Sequence, residues 1–154
     1  MTMIDRRTML VLTGAAGLAA ACGGPPGPST VSLAFTGQPG MNPGPDGADR
    51  PVTVQILRLR DAGAFASADM FALTSDPAAA LPTDIVGSDQ VALAPGGSAS
   101  KAITVEPEAT AVGLVALLRE PGGKVWRTSF PVSPGSTVKG TVTLGPGGLA
   151  VALG

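Results

Sequence analysis

Short apolar runs separated by glycine and proline are the feature that most constrains the fold of this chain. Its 154 residues include 22 glycines and 15 prolines, and within the runs between them apolar and polar side chains alternate. Alternation is typical of a strand with one buried face, and regular turns between such runs are typical of an all-β sandwich. Two four-stranded sheets would account for the eight predicted strands: 30–35, Val52–Leu59, Ile85–Leu93, Ser98–Val105, 111–118, 124–130, 139–144 and Gly148–Leu153.

Two of these runs are apolar on both faces. Residues 111–118 carry no polar side chain on either face. This predicts a central strand with other elements packed on both of its faces. In Val52–Leu59 the apolar positions change phase, which indicates either a bulge or a second covered face. A helix over residues 62–73, with Asp61 as its N-cap, could supply the cover, because its apolar side chains share one angular sector: Phe65, Ala68, Ala72 and Leu73.

Residues 1–21 have the layout of a secretory signal peptide. Arg6 and Arg7 precede an uncharged, apolar segment, 8–21, and small residues end it. As a helix this segment would span about 21 Å, too short for a hydrocarbon core of roughly 30 Å. The paired arginines are also similar to a twin-arginine export signal, and an ordinary basic start remains the alternative.

Cys22 is the only cysteine and stands where the apolar segment meets the Gly/Pro-rich stretch that follows it. A disulfide needs a second cysteine, and a metal site needs further ligands in a chain that has no histidine. The preceding alanines resemble a bacterial lipobox, although Ala19 stands where leucine is usual, and this implies a palmitoylated Cys22 followed by a tether over 22–29 and a sandwich domain over 30–154. An ordinary cleavage site beside a chance cysteine is the alternative. Gly23 after the cysteine implies an outer-membrane destination.

Charge and chemistry exclude several functions. After Arg6, Arg7 and Asp5 are removed with the signal peptide, eight basic and ten acidic residues remain, which does not favour nucleic-acid binding. Without histidine, tyrosine or a free thiol the usual general bases are absent, so we expect no enzyme and no cofactor beyond the lipid. Ser98 and Ser100 lie near Lys101, but strand alternation turns the lysine to the opposite face.

The 15-residue segment 37–51 is the candidate binding site. It is long for a connection between strands, and its prolines restrict it, which favours a shaped binding loop over a plain surface connection. We expect Met41 to be an exposed apolar contact and Arg50 a charge anchor. The oxygens of Asn42, Asp46 and Asp49 could serve calcium, but the same residue types are those that turns require. The predicted contact residues are Met41, Asn42, Pro43, Asp46, Gly47, Asp49 and Arg50.

Several segments in order resemble the type VI secretion outer-membrane lipoprotein family TssJ. The stretch 52–73 is similar to the family's strand and helix pattern through Phe65, Ala68, Asp69, Phe71 and Leu73. MNPGPDG at 41–47, LAPGG at 93–97, GLVALLRE at 113–120 and VWR at 125–127 resemble further family motifs. The chain departs from the family pattern where Leu57 and Leu118 replace tyrosines and Met41 replaces a leucine.

The resemblance implies a transthyretin-like β-sandwich of two antiparallel sheets with a short helical insertion. It also implies a lipid anchor on the periplasmic face of the outer membrane and a partner, the periplasmic domain of the inner-membrane protein TssM, bound partly through the loop at 37–51. The predicted function is therefore to tether a trans-envelope secretion complex. Two alternatives are a periplasmic lipoprotein that binds a glycan or small molecule, which the scarcity of aromatic residues disfavours, and an enzyme acting on peptidoglycan.

Overall fold

Residues 24–154 are described here in a computed structural model of the chain. The predicted signal peptide and the lipidation site Cys22 lie outside the described residues, and both stay predictions. The described part contains eight strands: β1 (Ser29–Gly37), β2 (Val52–Leu59), β3 (Ile85–Leu93), β4 (Ser98–Val105), β5 (Ala111–Ala116), β6 (Arg127–Pro131), β7 (Thr137–Gly145) and β8 (Gly148–Leu153). Three short helices follow β2: α1 (Gly63–Ser67), α2 (Met70–Ser75) and α3 (Pro77–Ala80).

The strands form two four-stranded sheets. Sheet I has the order β4-β1-β7-β8 and sheet II the order β3-β2-β5-β6. All pairings are antiparallel except β1 with β7, which run parallel. The predicted all-β fold of two four-stranded sheets with a helical insertion is confirmed, but sheet I is mixed and not wholly antiparallel as expected, because β1 and β7 run parallel.

A first core fills the space between the sheets. It takes the inward side chains of both sheets, among them Val31, Leu33 and Phe35 of β1 and Val54 and Ile56 of β2. These positions alternate with exposed or half-buried ones along β1, as the period of a strand requires. The alternation read from the sequence therefore identifies the inner face correctly.

A second core lies on the other side of sheet II, beneath the helical insertion at residues 60–84. Leu57 and Leu59 of β2 and Val115 of β5 pack there against Phe65 and Leu73 of the insertion, and all five are at most 1% exposed. The predicted double cover of β5 is confirmed, and the phase change in β2 reflects this second covered face. The register of β2 with β3 also shifts between Arg58 and Leu59.

The prediction of one continuous helix over residues 62–73 is wrong, because α1 and α2 are separate helices. Asp69 and Asp76 each accept a hydrogen bond from the backbone N–H three residues onward, and so begin α2 and α3. Pro77 is the first residue of α3. Asp61 accepts from the N–H of Gly63 at 2.7 Å, while the cap position of α1 is Ala62. The cap at Asp69 therefore divides the predicted apolar face between α1 and α2, and α3 follows as a separate helix.

The predicted strand 124–130 begins three residues late. Val125 pairs instead with Gly148 of sheet I through a parallel bridge, and β6 starts at Arg127. Trp126 is half-buried and packs against both cores, with the Arg127 guanidinium 4.5 Å from its ring centre. None of the helices within residues 24–154 is long and apolar enough to cross a membrane.

Candidate partner-binding surface

Four connections meet at one end of the sandwich, which we call the loop end. They join β1 to β2, β3 to β4, β5 to β6 and β7 to β8. Backbone hydrogen bonds tie the first of these loops to its neighbours: the Gly37 N–H donates to the Gly97 oxygen at 2.9 Å and the Gln38 N–H to the Leu144 oxygen at 2.8 Å. The tether enters β1 at the opposite end, which we call the tether end. The loop end is therefore one continuous surface built from both sheets.

Asn42 connects the β1–β2 loop to the β5–β6 loop. Its side-chain oxygen accepts from the Arg119 N–H at 2.9 Å, and its amide nitrogen donates to the Pro51 oxygen at 3.4 Å. The residue is only 5% exposed, so these polar groups are shielded from water. An amide at this position therefore fixes one loop against another, which is a structural role.

Asp49 braces the base of the same loop from inside. Its carboxylate accepts from the Gly40 N–H at 2.6 Å and from the Asn42 N–H at 3.3 Å, and Pro43 forms an isolated bridge with it. Both residues are half-buried. The oxygens that could have suggested calcium are thus engaged by backbone donors, as the turn interpretation requires.

Met41 is buried, and the expectation that it is an exposed contact is wrong. It is 0% exposed and belongs to the core between the sheets. Gly37 makes room for it, because a Cβ on that glycine would stand 2.9 Å from the methionine sulfur. The flexible thioether fills this gap at the edge of the core and anchors the loop there.

The exposed part of the loop lies in its tip, residues 44–50, where 45–48 and Arg50 are exposed. The Gly44 N–H donates to the Ala48 oxygen at 2.8 Å, and the Gly47 N–H donates to the Gly44 oxygen at 3.0 Å, closing a tight turn. Gly47 has φ of +79°, a conformation that favours glycine. Of the predicted contact residues, Asp46, Gly47 and Arg50 are exposed here.

Asp46 and Arg50 form an ion pair at this tip. An Arg50 nitrogen lies 3.1 Å from an Asp46 carboxylate oxygen, and the Ala48 N–H donates to the other oxygen at 3.1 Å. The Arg50 guanidinium, followed by that N–H, lowers the pKa of Asp46 from its usual 3.8. The carboxylate is therefore charged at neutral pH, and the pair would be lost only as the pH falls through this lowered pKa.

The sequence argument did not place Arg119 or Pro146 in the site. Arg119 is joined to the β1–β2 loop by its hydrogen bond to Asn42, and Pro146 lies 3.1 Å from the position of a Cβ on Gly40. The turn signals of the other three connections were visible, but which of them share an end depends on strand pairing. The parallel pairing of β1 with β7 in particular brings the β7–β8 turn to this surface.

Replacing Asn42 with alanine should lower the free energy of unfolding by about 1–3 kcal/mol, because it leaves the Arg119 N–H without its partner. Urea unfolding would measure this loss, and hydrogen exchange at Arg119 should become faster. As a control, Asp46→Ala alters only an exposed ion pair and should leave the free energy of unfolding close to that of the wild type. Equal effects of the two substitutions would contradict the structural role of Asn42.

The fold and the loop end define a class: a two-sheet β-sandwich with a helical insertion over one sheet and a braced loop at the end opposite its tether. The family model described as "Type VI secretion lipoprotein, VasD, EvfM, TssJ, VC_A0113" matches residues 29–147. The chain therefore belongs to the type VI secretion lipoprotein family. Comparison with curated protein sequences finds no match.

Solved structures agree with this membership. The T6SS lipoprotein TssJ1 from Pseudomonas aeruginosa is 28% identical, with a TM-score of 0.77 over 82% of this chain and 97% of that one. Serratia marcescens Lip, a membrane-bound component of the type VI secretion system, is 25% identical, with a TM-score of 0.74 over 80% of this chain and 96% of that one. A chain in the structure of the T6SS protein TssM C-terminal domain from EAEC is 26% identical, with a TM-score of 0.66 over 80% and 97%.

Proposed function

We propose that this protein is anchored by a lipid on Cys22 to the periplasmic face of the outer membrane and binds the periplasmic domain of a TssM-like inner-membrane protein. Its role is then to hold the outer-membrane end of a type VI secretion complex. Membership in the family supports the secretion role, and the structure of the TssM C-terminal domain, with its similar chain, supports the partner.

The observation that carries the proposal is the rigid loop end. A loop that is already ordered loses little conformational entropy when it binds, so its contacts contribute more to affinity. Here Met41, Asn42 and Asp49 hold the base, while Asp46 and Arg50 are presented at the tip. The loop end also faces away from the tether, where a partner from the opposite membrane would arrive.

A binding role also fits the chemistry of the chain better than catalysis. The sequence has no histidine and no tyrosine. Ser100 is exposed on the outer face of sheet I, whereas Lys101 pairs with the buried Leu33 and so lies on the inner face. The serine–lysine pair suggested by the sequence is therefore divided between two faces of one strand.

The test is a binding measurement between this protein and the periplasmic domain of the TssM-like protein. The double variant Asp46→Ala/Arg50→Ala removes the charged tip and leaves the buried base intact. We expect at least about tenfold weaker binding, since paired charges at the centre of an interface are often worth more than 1.4 kcal/mol. Circular dichroism and Tm should remain those of the wild type.

Glu108→Ala is the matched control, because Glu108 is an exposed charge between β4 and β5 at the tether end. It should bind like the wild type. If the tip variant binds with unchanged affinity while the wild type binds well, the tip is not the contact. If the wild type does not bind at all, the choice of partner is wrong.

A further inference from the structure

Among the five family-like residues of the insertion, Phe65, Ala68, Asp69, Phe71 and Leu73, Phe71 is the one that neither packs in a core nor caps a helix. Phe65 and Leu73 are buried in the second core, and Asp69 caps α2. Phe71 is 78% exposed, the most exposed large apolar side chain in residues 24–154. We propose that Phe71 anchors a contact between copies of this chain, in which the helical insertion of one copy docks on the outer face of sheet I of the next.

The insertion presents Phe71 on a fixed platform. Arg127 of β6 donates to the Phe65 oxygen at 3.0 Å and to the Ala68 oxygen, so it holds the junction between α1 and α2. The Phe65 ring rests on Gly113, where an added Cβ would stand 2.8 Å from the ring. An aromatic side chain that is displayed by a rigid support is a typical anchor of an interface.

The charge of the insertion restricts what it can approach. The insertion, residues 60–84, contains four aspartates and one basic residue, Arg60, whose guanidinium donates to the Thr83 oxygen at 3.1 Å, so it is net acidic. Asp69 and Asp76, on either side of Phe71 in sequence, are both exposed. An anionic lipid surface would be repelled, whereas a surface with no carboxylate and some positive charge would be attracted.

The outer face of sheet I is such a surface, with positive charge and, among the described residues, no carboxylate. In residues 24–154 its outward side chains are serine, threonine and alanine together with Lys139, and none is acidic. Lys139 borders two shallow concavities of about 380 Å³ each, the first lined also by Ala34, Ser100 and Ala102. Since a cavity of about 150 Å³ can hold benzene, either concavity has room for a phenyl ring. The small side chains would allow a close approach.

The two surfaces lie on opposite faces of the sandwich, so the contact is head-to-tail. The insertion covers the outer face of sheet II, and the concavities lie on the outer face of sheet I. One such contact leaves sheet I unused on the first copy and the insertion unused on the second, so further copies can add in a row or ring. Successive copies are displaced perpendicular to the strands, so all tether ends can face one bilayer. This last point rests on the proposed lipid anchor.

Cysteine cross-linking of the full-length protein in membranes tests the contact. Cys22 is the only native cysteine, so the wild type serves as the control for background cross-linking. Ser75 is exposed one helical turn after Phe71, and Ser100 lines the concavity. The double variant Ser75→Cys/Ser100→Cys, treated with a short bismaleimide, should give a ladder of dimers and higher species. Each single variant should give none, because a head-to-tail contact brings unlike positions together.

Two further substitutions in the double-cysteine background test the apolar and the electrostatic parts of the proposed contact. Phe71→Ala should reduce the cross-linked fraction about tenfold, the effect expected when one phenyl ring is no longer buried. Lys139→Glu should reduce it several-fold, and raised salt should do the same. Val125→Ala, which trims another exposed apolar side chain, is the matched control and should leave the ladder unchanged.

Three results would overturn the proposal. One is a yield for Ser75→Cys/Ser100→Cys no higher than for Ser75→Cys/Glu108→Cys, whose second site lies at the tether end. Another is equal cross-linking by the single variants, which would indicate a symmetric contact. The third is capture of a different protein at Ser75→Cys instead of a second copy. None of these readouts involves the loop tip, so they are independent of TssM binding.

Discussion

Replacing Phe65 with alanine should destabilise the protein by about 3–5 kcal/mol, the usual cost of removing a buried aromatic ring from a core. Phe65 is 1% exposed and is the largest side chain in the core beneath the insertion. Its ring fills the space over Gly113, and that glycine has no side chain with which to close the gap. The insertion would keep the Arg127 hydrogen bonds but lose most of its apolar anchorage.

Urea unfolding followed by circular dichroism would measure the loss. Trp126 fluorescence provides a local signal, since this single tryptophan packs against both cores. Phe71→Ala is the matched control in the same insertion and should change the free energy of unfolding by no more than about 0.5 kcal/mol, because Phe71 is exposed. A loss below about 1 kcal/mol for Phe65→Ala would mean that the second core contributes little.

Replacing Cys22 with serine should move the protein from the membrane fraction to the soluble fraction almost completely. Each acyl methylene that enters the bilayer contributes about 0.8 kcal/mol, so several chains on one cysteine dominate membrane attachment. Without the thiol no acyl group can be attached at this position. Fractionation after a high-salt wash and mass spectrometry of the mature amino terminus would measure the effect.

Gly24→Ala is the control for this substitution, because it alters the tether two residues away and leaves the cysteine in place. It should remain with the membrane. Retention of Cys22→Ser in washed membranes would reject the lipid anchor, and the ordinary cleavage site would then be the better interpretation of this segment.

The strand pattern was largely predictable because it depends on local alternation. Val52–Leu59, Ile85–Leu93, Ser98–Val105 and Gly148–Leu153 have the bounds that the sequence predicts. The apolar second face of β2 and β5 also predicted that something must cover sheet II. Periodicity reports which side chains face a core, and it does so wherever the strands are regular.

The predictions that were wrong concern features that depend on contacts between residues distant in sequence. Nothing local distinguishes a loop methionine that is exposed from one that fills a gap beside Gly37, so the burial of Met41 required the three-dimensional structure. Likewise Val125 has an apolar strand-like sequence, but it pairs with Gly148 of the other sheet. The role of Asn42 depends on Arg119, which is 77 residues away in sequence.

The direction of β1 sets how far from the bilayer a partner can be met. Its nine residues, at about 3.3 Å each, separate the tether end from the loop end by about 30 Å. Residues 22–28, rich in glycine and proline, could add roughly 20 Å when extended. With the proposed lipid on Cys22, a neighbour that reaches across the periplasm would need to come only to within about 50 Å of the lipid headgroups, and shortening the spacer would demand a longer reach from it.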